Sequence, residues 1–243
     1  YEATRSPMAV GALTEGIYLR ELVAAYQPFG NGGKYFSPTS YTYVIDPSGE
    51  MILQHQYTPI QSISEESACV MNKLLQTVIE GPNGTGRAAK LENVPVVGKT
   101  GTTQDWRDTL FVGCTPDYVS GVWYGYDDNR TVKSGTYYGS AQLWKNIFGD
   151  IAEAGTKTEF PECETVKELY YCSNTGLIAS GSCPTGNVGY YKSTNVPPVC
   201  TKCGGASATP KVPEVTEAAI TTISPDAINV DQLTDELLDD SNN

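Results

Sequence analysis

The chain has 243 residues, 40% hydrophobic and 18% charged, with a formal net charge of −12. That length supports one full domain with an appendage, burying roughly 70% or more of its unfolded surface. No apolar run approaches the ~20 residues of a bilayer-spanning helix, and no basic patch of the kind nucleic-acid binding requires is present.

The chain opens at Tyr1 with neither an initiator Met nor a basic-then-apolar leader, which reads as a processed product or a fragment. Residues Ile17 to Tyr26 set Ile17, Leu22, Val23, Ala25 and Tyr26 near helical spacing, and Pro28, Gly30, Gly32 and Gly33 break the pattern. "YTYVIDPSGEMILQHQ" places two strand-like runs around Asp46-Pro47-Ser48-Gly49, a β-hairpin. "SEESACVMNKLLQTVIE" opens on Ser64 with acid in its first turn and spaces Val70, Leu74, Leu75 and Val78 along one face, the best helix of the chain. The Gly-rich "GPNGTGRAAK" follows as a mobile turn over a cleft. Strands are then predicted over "VPVVGKTGTT", "DTLFVGCTP" and "DYVSGVWYGYD", and a helix over "GSAQLWKNIFGDIAEAG". Helices among short strands joined by tight turns imply an α+β fold with a mostly antiparallel sheet. Gly204 to Asn243 holds one Lys and eight acidic residues with almost no aromatics, and reads as a disordered acidic tail.

Chemistry has few candidates. The single histidine, His55, stands at a hairpin end without a G-x-S-x-G elbow, so a Ser-His-Asp triad has little support. The Gly-rich loop lacks G-x-x-x-x-G-K-[ST] and follows a helix rather than a strand, the reverse of a phosphate loop. The strand "VPVVGKTGTT" differs. By the two-residue period Val97, Lys99 and Gly101 share one face, and Thr100 and Thr102 share the other. An ammonium and hydroxyls along a strand edge suit an extended peptide ending in a carboxylate, bound by strand addition. The bland alternative is a polar edge protected from aggregation by its lysine. After it, Asp105, Arg107 and Asp108 are expected to form a local ion-pair network, and Trp106 either lines the cleft or caps the sheet.

The segment "GKTGTTQDWRDTLFVGCTPDYVSGVWYGYDD" resembles the surroundings of the third active-site motif of class A (bifunctional) penicillin-binding proteins, whose K-T-G box accompanies S-x-x-K and S-x-N boxes. The resemblance runs upstream through "ALTEGIYLRELVAAYQPFGNGGKYFSPTSYTYVIDPSGEMI" and downstream through "CSNTGLIASGSCPTG" and "YYKSTNVPPVC", the latter similar to a Cys-containing C-terminal extension. It implies a division into residues 1–155, the C-terminal portion of a transpeptidase domain; 156–203, a Cys-rich extension; and 204–243, the tail. It implies a peptidoglycan D,D-transpeptidase, with a D-Ala-D-Ala stem-peptide donor, an amine acceptor, β-lactams as inhibitors and no cofactor. The parent protein would lie at the extracytoplasmic face of a bacterial membrane, held by an anchor outside this sequence. Lys99 and Thr102 then become the catalytic candidates, Thr102 through a backbone oxyanion donor. Thr100, Gly101 and Thr102 become the substrate-binding strand.

The departure from the family pattern is that no Ser-x-x-Lys occurs, and the two Ser-x-Asn matches, Ser193-Thr194-Asn195 and Ser241-Asn242-Asn243, both follow the K-T-G box. The chain as given is therefore expected to be inactive. A serine β-lactamase or D,D-carboxypeptidase relative, or a non-catalytic cell-wall or zinc-binding module, are the other readings. Of seven cysteines, Cys69 and Cys114 read as small core thiols. Cys163, Cys172, Cys183, Cys200 and Cys203 cluster in the extension. Zinc could take Cys172, Cys183, Cys200 and Cys203, although the first pair is widely spaced. Outside the cytoplasm disulfides are the favoured expectation, with their pairing open.

Overall fold

The computed structural model describes residue 11 and residues 16–132, 139–184 and 187–203. In chain order these form α1 (Leu19–Gly30), β1 (Lys34–Tyr35), β2 (Tyr43–Ile45), β3 (Met51–Gln54), β4 (Ile60–Gln61), α2 (Glu65–Glu80), β5 (Val97–Thr102), β6 (Asp108–Cys114), β7 (Val119–Gly125), α3 (Ser140–Glu153), β8 (Val166–Tyr170) and β9 (Val188–Lys192). This is a mixed fold of helices and antiparallel sheet. The acidic tail over 204–243 lies outside the described residues.

The local signals act largely as read. Ser64 caps α2 by accepting the Ser67 N–H at 3.2 Å, with Glu65 and Glu66 complementing the positive end of the helix dipole. In the hairpin β2–β3, the Asp46 carboxylate accepts the Ser48 and Glu50 N–H groups at 2.8 and 2.9 Å, and Gly49 takes φ +88°. Helix α1 runs further than its breakers suggest, through Pro28 to Gly30. A proline in the last turn forfeits one hydrogen bond without ending the helix. The stop comes after Asn31, where Gly32 and Gly33 adopt φ +74° and +89° and the Gly33 N–H bonds back to the Pro28 carbonyl at 2.8 Å.

The central sheet has the order β5-β6-β7, antiparallel throughout, with Thr100 opposite Phe111 and Phe111 opposite Val122. Its two faces are covered by different helices. Gly121, paired with Val112, lies against Val23 and Leu19 of α1, whereas Gly113, one step along β6, lies against the Trp144 indole of α3. Neighbouring strand residues point to opposite faces, so α1 and α3 sandwich the sheet. On the α3 side Trp144 and Phe111, both essentially fully buried, pack edge to face at 5.4 Å with Ile79, Ala89 and Val96. The Trp144 N–H donates to Ser120 Oγ at 2.8 Å, so the indole is buried with its polar atom satisfied. On the α1 side Val97 and Cys114 pack with Leu75, Tyr26 and Phe29.

The Gly-rich loop packs on the core through its second half. Residues Arg87–Ala89 form a 3-10 turn, Ala89 is fully buried, and the Arg87 guanidinium donates to the Pro82 carbonyl at 3.0 Å. A Cβ on Gly86 would meet Ile79 at 2.8 Å, so this glycine admits close packing against the core rather than flexibility.

A candidate active-site wall on an edge strand

Strand β5 is an edge: among the described residues no strand pairs with the side facing away from β6. Its sequence supports that position. Gly98 is buried, and a Cβ there would lie 2.6 Å from the Val112 carbonyl oxygen and 2.7 Å from the Phe111 ring. Only glycine lets the strand sit this close to β6. Beyond it the strand emerges from the core: Lys99 and Thr102 are exposed, and Thr100 and Gly101 half-buried.

The ladder decides which backbone groups face outward. Past the end of β5 the Thr103 N–H bonds to the Asp108 carbonyl at 3.0 Å. Hydrogen-bonded and non-hydrogen-bonded pairs alternate along an antiparallel ladder. With Thr102 opposite Thr109 and Thr100 opposite Phe111, the N–H and C=O groups of Thr102 and Thr100 point away from β6. The Lys99 ammonium donates to the Thr100 carbonyl at 2.9 Å, as expected if that carbonyl is open to the edge. Thr100 and Thr102 share a strand face, Lys99 the opposite one. The edge thus offers outward N–H groups, two hydroxyls and an ammonium within one short segment.

Two supports for this edge were not legible in the sequence. Thr85, in the Gly-rich loop, shares a hydrogen bond with Thr100 between their Oγ1 atoms at 2.7 Å. The turn after β5 is clamped by Asp108, whose carboxylate accepts the Trp123 indole N–H at 2.8 Å and the Thr103 hydroxyl at 3.2 Å. The expected three-residue ion-pair network is therefore corrected. Arg107 pairs with Asp105 at 3.2 Å on the surface, worth about 0–1 kcal/mol, while Asp108 serves neutral donors. Asp105 and Trp106 hold φ of 58° and 54°, left-handed backbone uncommon for non-glycine residues. The clamp, together with the Val132 N–H on the Trp106 carbonyl at 2.8 Å, fixes this turn.

The remaining candidates lie elsewhere. His55 is packed edge-on against the Tyr41 and Tyr57 rings. Cys114 is buried, and burial pushes its thiol up to about 12. Cys163 stands beside Cys69 at a cavity of about 350 Å³ between α2 and the extension. Burial first, and the Cys163 sulfur second, raise the Cys69 pKa. The four other extension cysteines are gathered in one cluster.

This α+β architecture is that of a penicillin-binding transpeptidase domain. The solved structure of penicillin-binding protein 1A from Haemophilus influenzae shares it with a TM-score of 0.60 over 74% of this chain and 32% of that one, at 21% identity. The family described as "Penicillin binding protein transpeptidase domain" matches residues 16–153, and the chain belongs to that family. Among curated proteins it is 36% identical to penicillin-binding protein 1A of Clostridium tetani over 176 residues, 69% of this chain and 22% of the relative. It is 35% identical to penicillin-binding protein 4 of Bacillus subtilis over 127 residues, 52% of this chain and 20% of that protein. The chain thus spans about a fifth of the length of these relatives.

Proposed function

We propose that this chain supplies the Lys-Thr-Gly wall of a peptidoglycan D,D-transpeptidase, and the outward-facing edge of β5 is the observation that carries the reading. An extended stem peptide would add along this edge. Its terminal carboxylate would meet the Thr100 and Thr102 hydroxyls, and its penultimate carbonyl would turn toward the Thr102 N–H. That N–H would be one of two oxyanion donors, a role for which loss of one donor costs about 2.7–4 kcal/mol in other enzymes. Gly101 between them would keep the strand surface low enough for a peptide backbone to approach. Lys99 would hold positive potential beside the attacking serine and ease its proton transfer.

A serine nucleophile followed three residues later by lysine is absent from this sequence. In the proposed enzyme it belongs to a part of the protein outside the chain, as does the membrane anchor. Residues 1–155 would be the C-terminal portion of the transpeptidase domain, 156–203 an extension and 204–243 a tail, with the whole at the extracytoplasmic membrane face. A fluorescent penicillin tests the proposal. A longer protein containing the serine motif should be acylated, and Thr100→Val in it should slow acylation on the order of 10- to 100-fold, the loss of a charge-assisted hydrogen bond of ~1.5–3 kcal/mol. A completed domain that never labels would refute the assignment.

A further inference from the structure

Cys172, Cys183 and the pair Cys200 and Cys203 come from three separate turns of the chain, and their four Sγ atoms all lie within 4.8 Å of one another. Cys172 and Cys200 are fully buried, and Cys183 is nearly so. The Cys172 and Cys203 sulfurs are 3.6 Å apart, and those of Cys200 and Cys203 3.8 Å apart. A disulfide bond measures ~2.05 Å. A tetrahedron of sulfurs on metal arms of ~2.3 Å has edges of about 3.8 Å. The Cys172–Cys203 and Cys200–Cys203 separations match the second figure, and all six lie within 4.8 Å.

The backbone around the sulfurs is arranged to the same end. Cys172 opens a tight turn in which the Thr175 and Gly176 N–H groups donate to its carbonyl at 3.2 and 2.8 Å, with Gly176 at φ +70°. The chain then folds back through an antiparallel bridge between Tyr171 and Ile178, and a parallel bridge between Ile178 and Val199 delivers Cys200. The Cys200 N–H bonds to the Ile178 carbonyl at 2.8 Å, locking the two halves together. Ser180 lies next to Cys183 with its N–H and Oγ each 3.3 Å from Sγ, the outer contacts that orient and stabilise a metal-bound thiolate. Ala179, Leu177 and Tyr170 close the apolar surround.

We propose that these four cysteines form a tetrahedral tetrathiolate site for a zinc ion. Four soft sulfur ligands in a closed tetrahedron leave no open coordination position, so the site is structural, not catalytic. Binding one Zn²⁺ releases the four thiol protons and leaves a dianionic centre. The need for it follows from size: a segment of about 50 residues is marginal on apolar burial alone, and metals or disulfides commonly supply the rest. The ion would tie the Cys200-Thr-Lys-Cys203 knuckle to the turns at Cys172 and Cys183. The hairpin β8–β9, which runs into this cluster, docks on α2, where the Lys192 ammonium donates to the Ser67 hydroxyl. The zinc assignment stands on the sulfur geometry alone and is independent of the transpeptidase reading.

The full 243-residue chain, prepared without added reductant or chelator, provides the test. Elemental analysis should find one zinc per chain, and zinc-edge X-ray absorption of the unmutated protein should show four sulfurs at ~2.3 Å. Replacement by Co²⁺ should give the intense visible bands and sulfur-to-cobalt charge transfer of a tetrahedral tetrathiolate. Cys200→Ala should abolish that spectrum and Cys163→Ala should preserve it. Zinc well below stoichiometry with a native mass lower by four hydrogens would establish two disulfides and overturn the proposal. Iron in place of zinc, nitrogen or oxygen in the coordination shell, or an undiminished Co²⁺ spectrum in Cys200→Ala would overturn it equally.

Discussion

At the scale of single residues, the site rests on a glycine before it rests on any functional group. Gly98 lets β5 lie against Phe111 and the Val112 carbonyl, and so sets the height of Lys99 and the threonines above the core. Gly98→Ala should destabilise the chain by about 1–3 kcal/mol through overpacking. A denaturant midpoint unchanged from the parent would show that the strand can shift without cost. Cys114 illustrates the opposite case, a residue whose burial removes its chemistry. With its thiol pushed up to about 12 and its side chain enclosed, it should be alkylated by iodoacetamide later than the half-buried Cys69 and Cys163 under native conditions, reacting at the rate of unfolding. Peptide mapping over a time course would resolve it from Cys69 and Cys163.

Between elements, the sheet is joined to the extension by an electrostatic tie at the β6–β7 turn. The Asp117 carboxylate accepts the Thr156 and Lys157 N–H groups, each at 2.7 Å, just after α3. The Lys157 N–H first, then the Thr156 N–H and the Lys157 ammonium, hold the Asp117 pKa below its ordinary value. A depressed folded-state pKa means that this stabilisation is complete above the unfolded value of about 4 and is lost as pH falls through the folded one. Asp117→Asn should therefore reduce stability at pH 7 and flatten its fall below pH ~4, read as urea midpoints across that range. The hairpin β2–β3 behaves differently. Tyr43, Val44, Ile45, Met51, Ile52 and Leu53 are all exposed on it, so its two strands bury neither face against the described residues. Leu53→Lys should change stability by no more than about 0.5 kcal/mol, the range of ordinary surface substitutions. A loss of several kcal/mol would reveal a packing partner for this hairpin.

For the molecule as a whole, the sheet leaves the β5 edge open and is covered on two faces. On the α3 face Trp144 ties β6 to β7, packing on Phe111 while its indole N–H reaches Ser120. Trp144→Ala should cost about 3–5 kcal/mol. In the proposed enzyme it should then depress penicillin acylation and thermal stability together, whereas Thr100→Val should slow acylation with the melting temperature unchanged. That contrast separates a residue of the core from a residue of the cleft. The chain itself, lacking Ser-x-x-Lys, should bind no fluorescent penicillin covalently, and covalent label at any residue would require a different nucleophile.

Local order was legible because its causes are local. The Ser64 cap with acid behind it, the Asp46 and Gly49 turn, the alternation through Val97, Lys99 and Gly101, and the apolar runs that became β6 and β7 each act within a few residues. The K-T-G strand was recognisable for the same reason: its chemistry is concentrated in one short segment. What the sequence could not supply is contact across distance. Nothing local says that Thr85 meets Thr100, or that Asp108 turns to Trp123 rather than to Arg107. The sequence names Cys172, Cys183, Cys200 and Cys203 as a possible zinc set but leaves it behind disulfides, because the wide interval between Cys172 and Cys183 closes only when the bridge at Ile178 folds the segment back and brings Cys200 alongside. Whether sulfurs lie at bonding distance or at the edge length of a metal tetrahedron is a question of position in space, decided only by the packing of one turn on another.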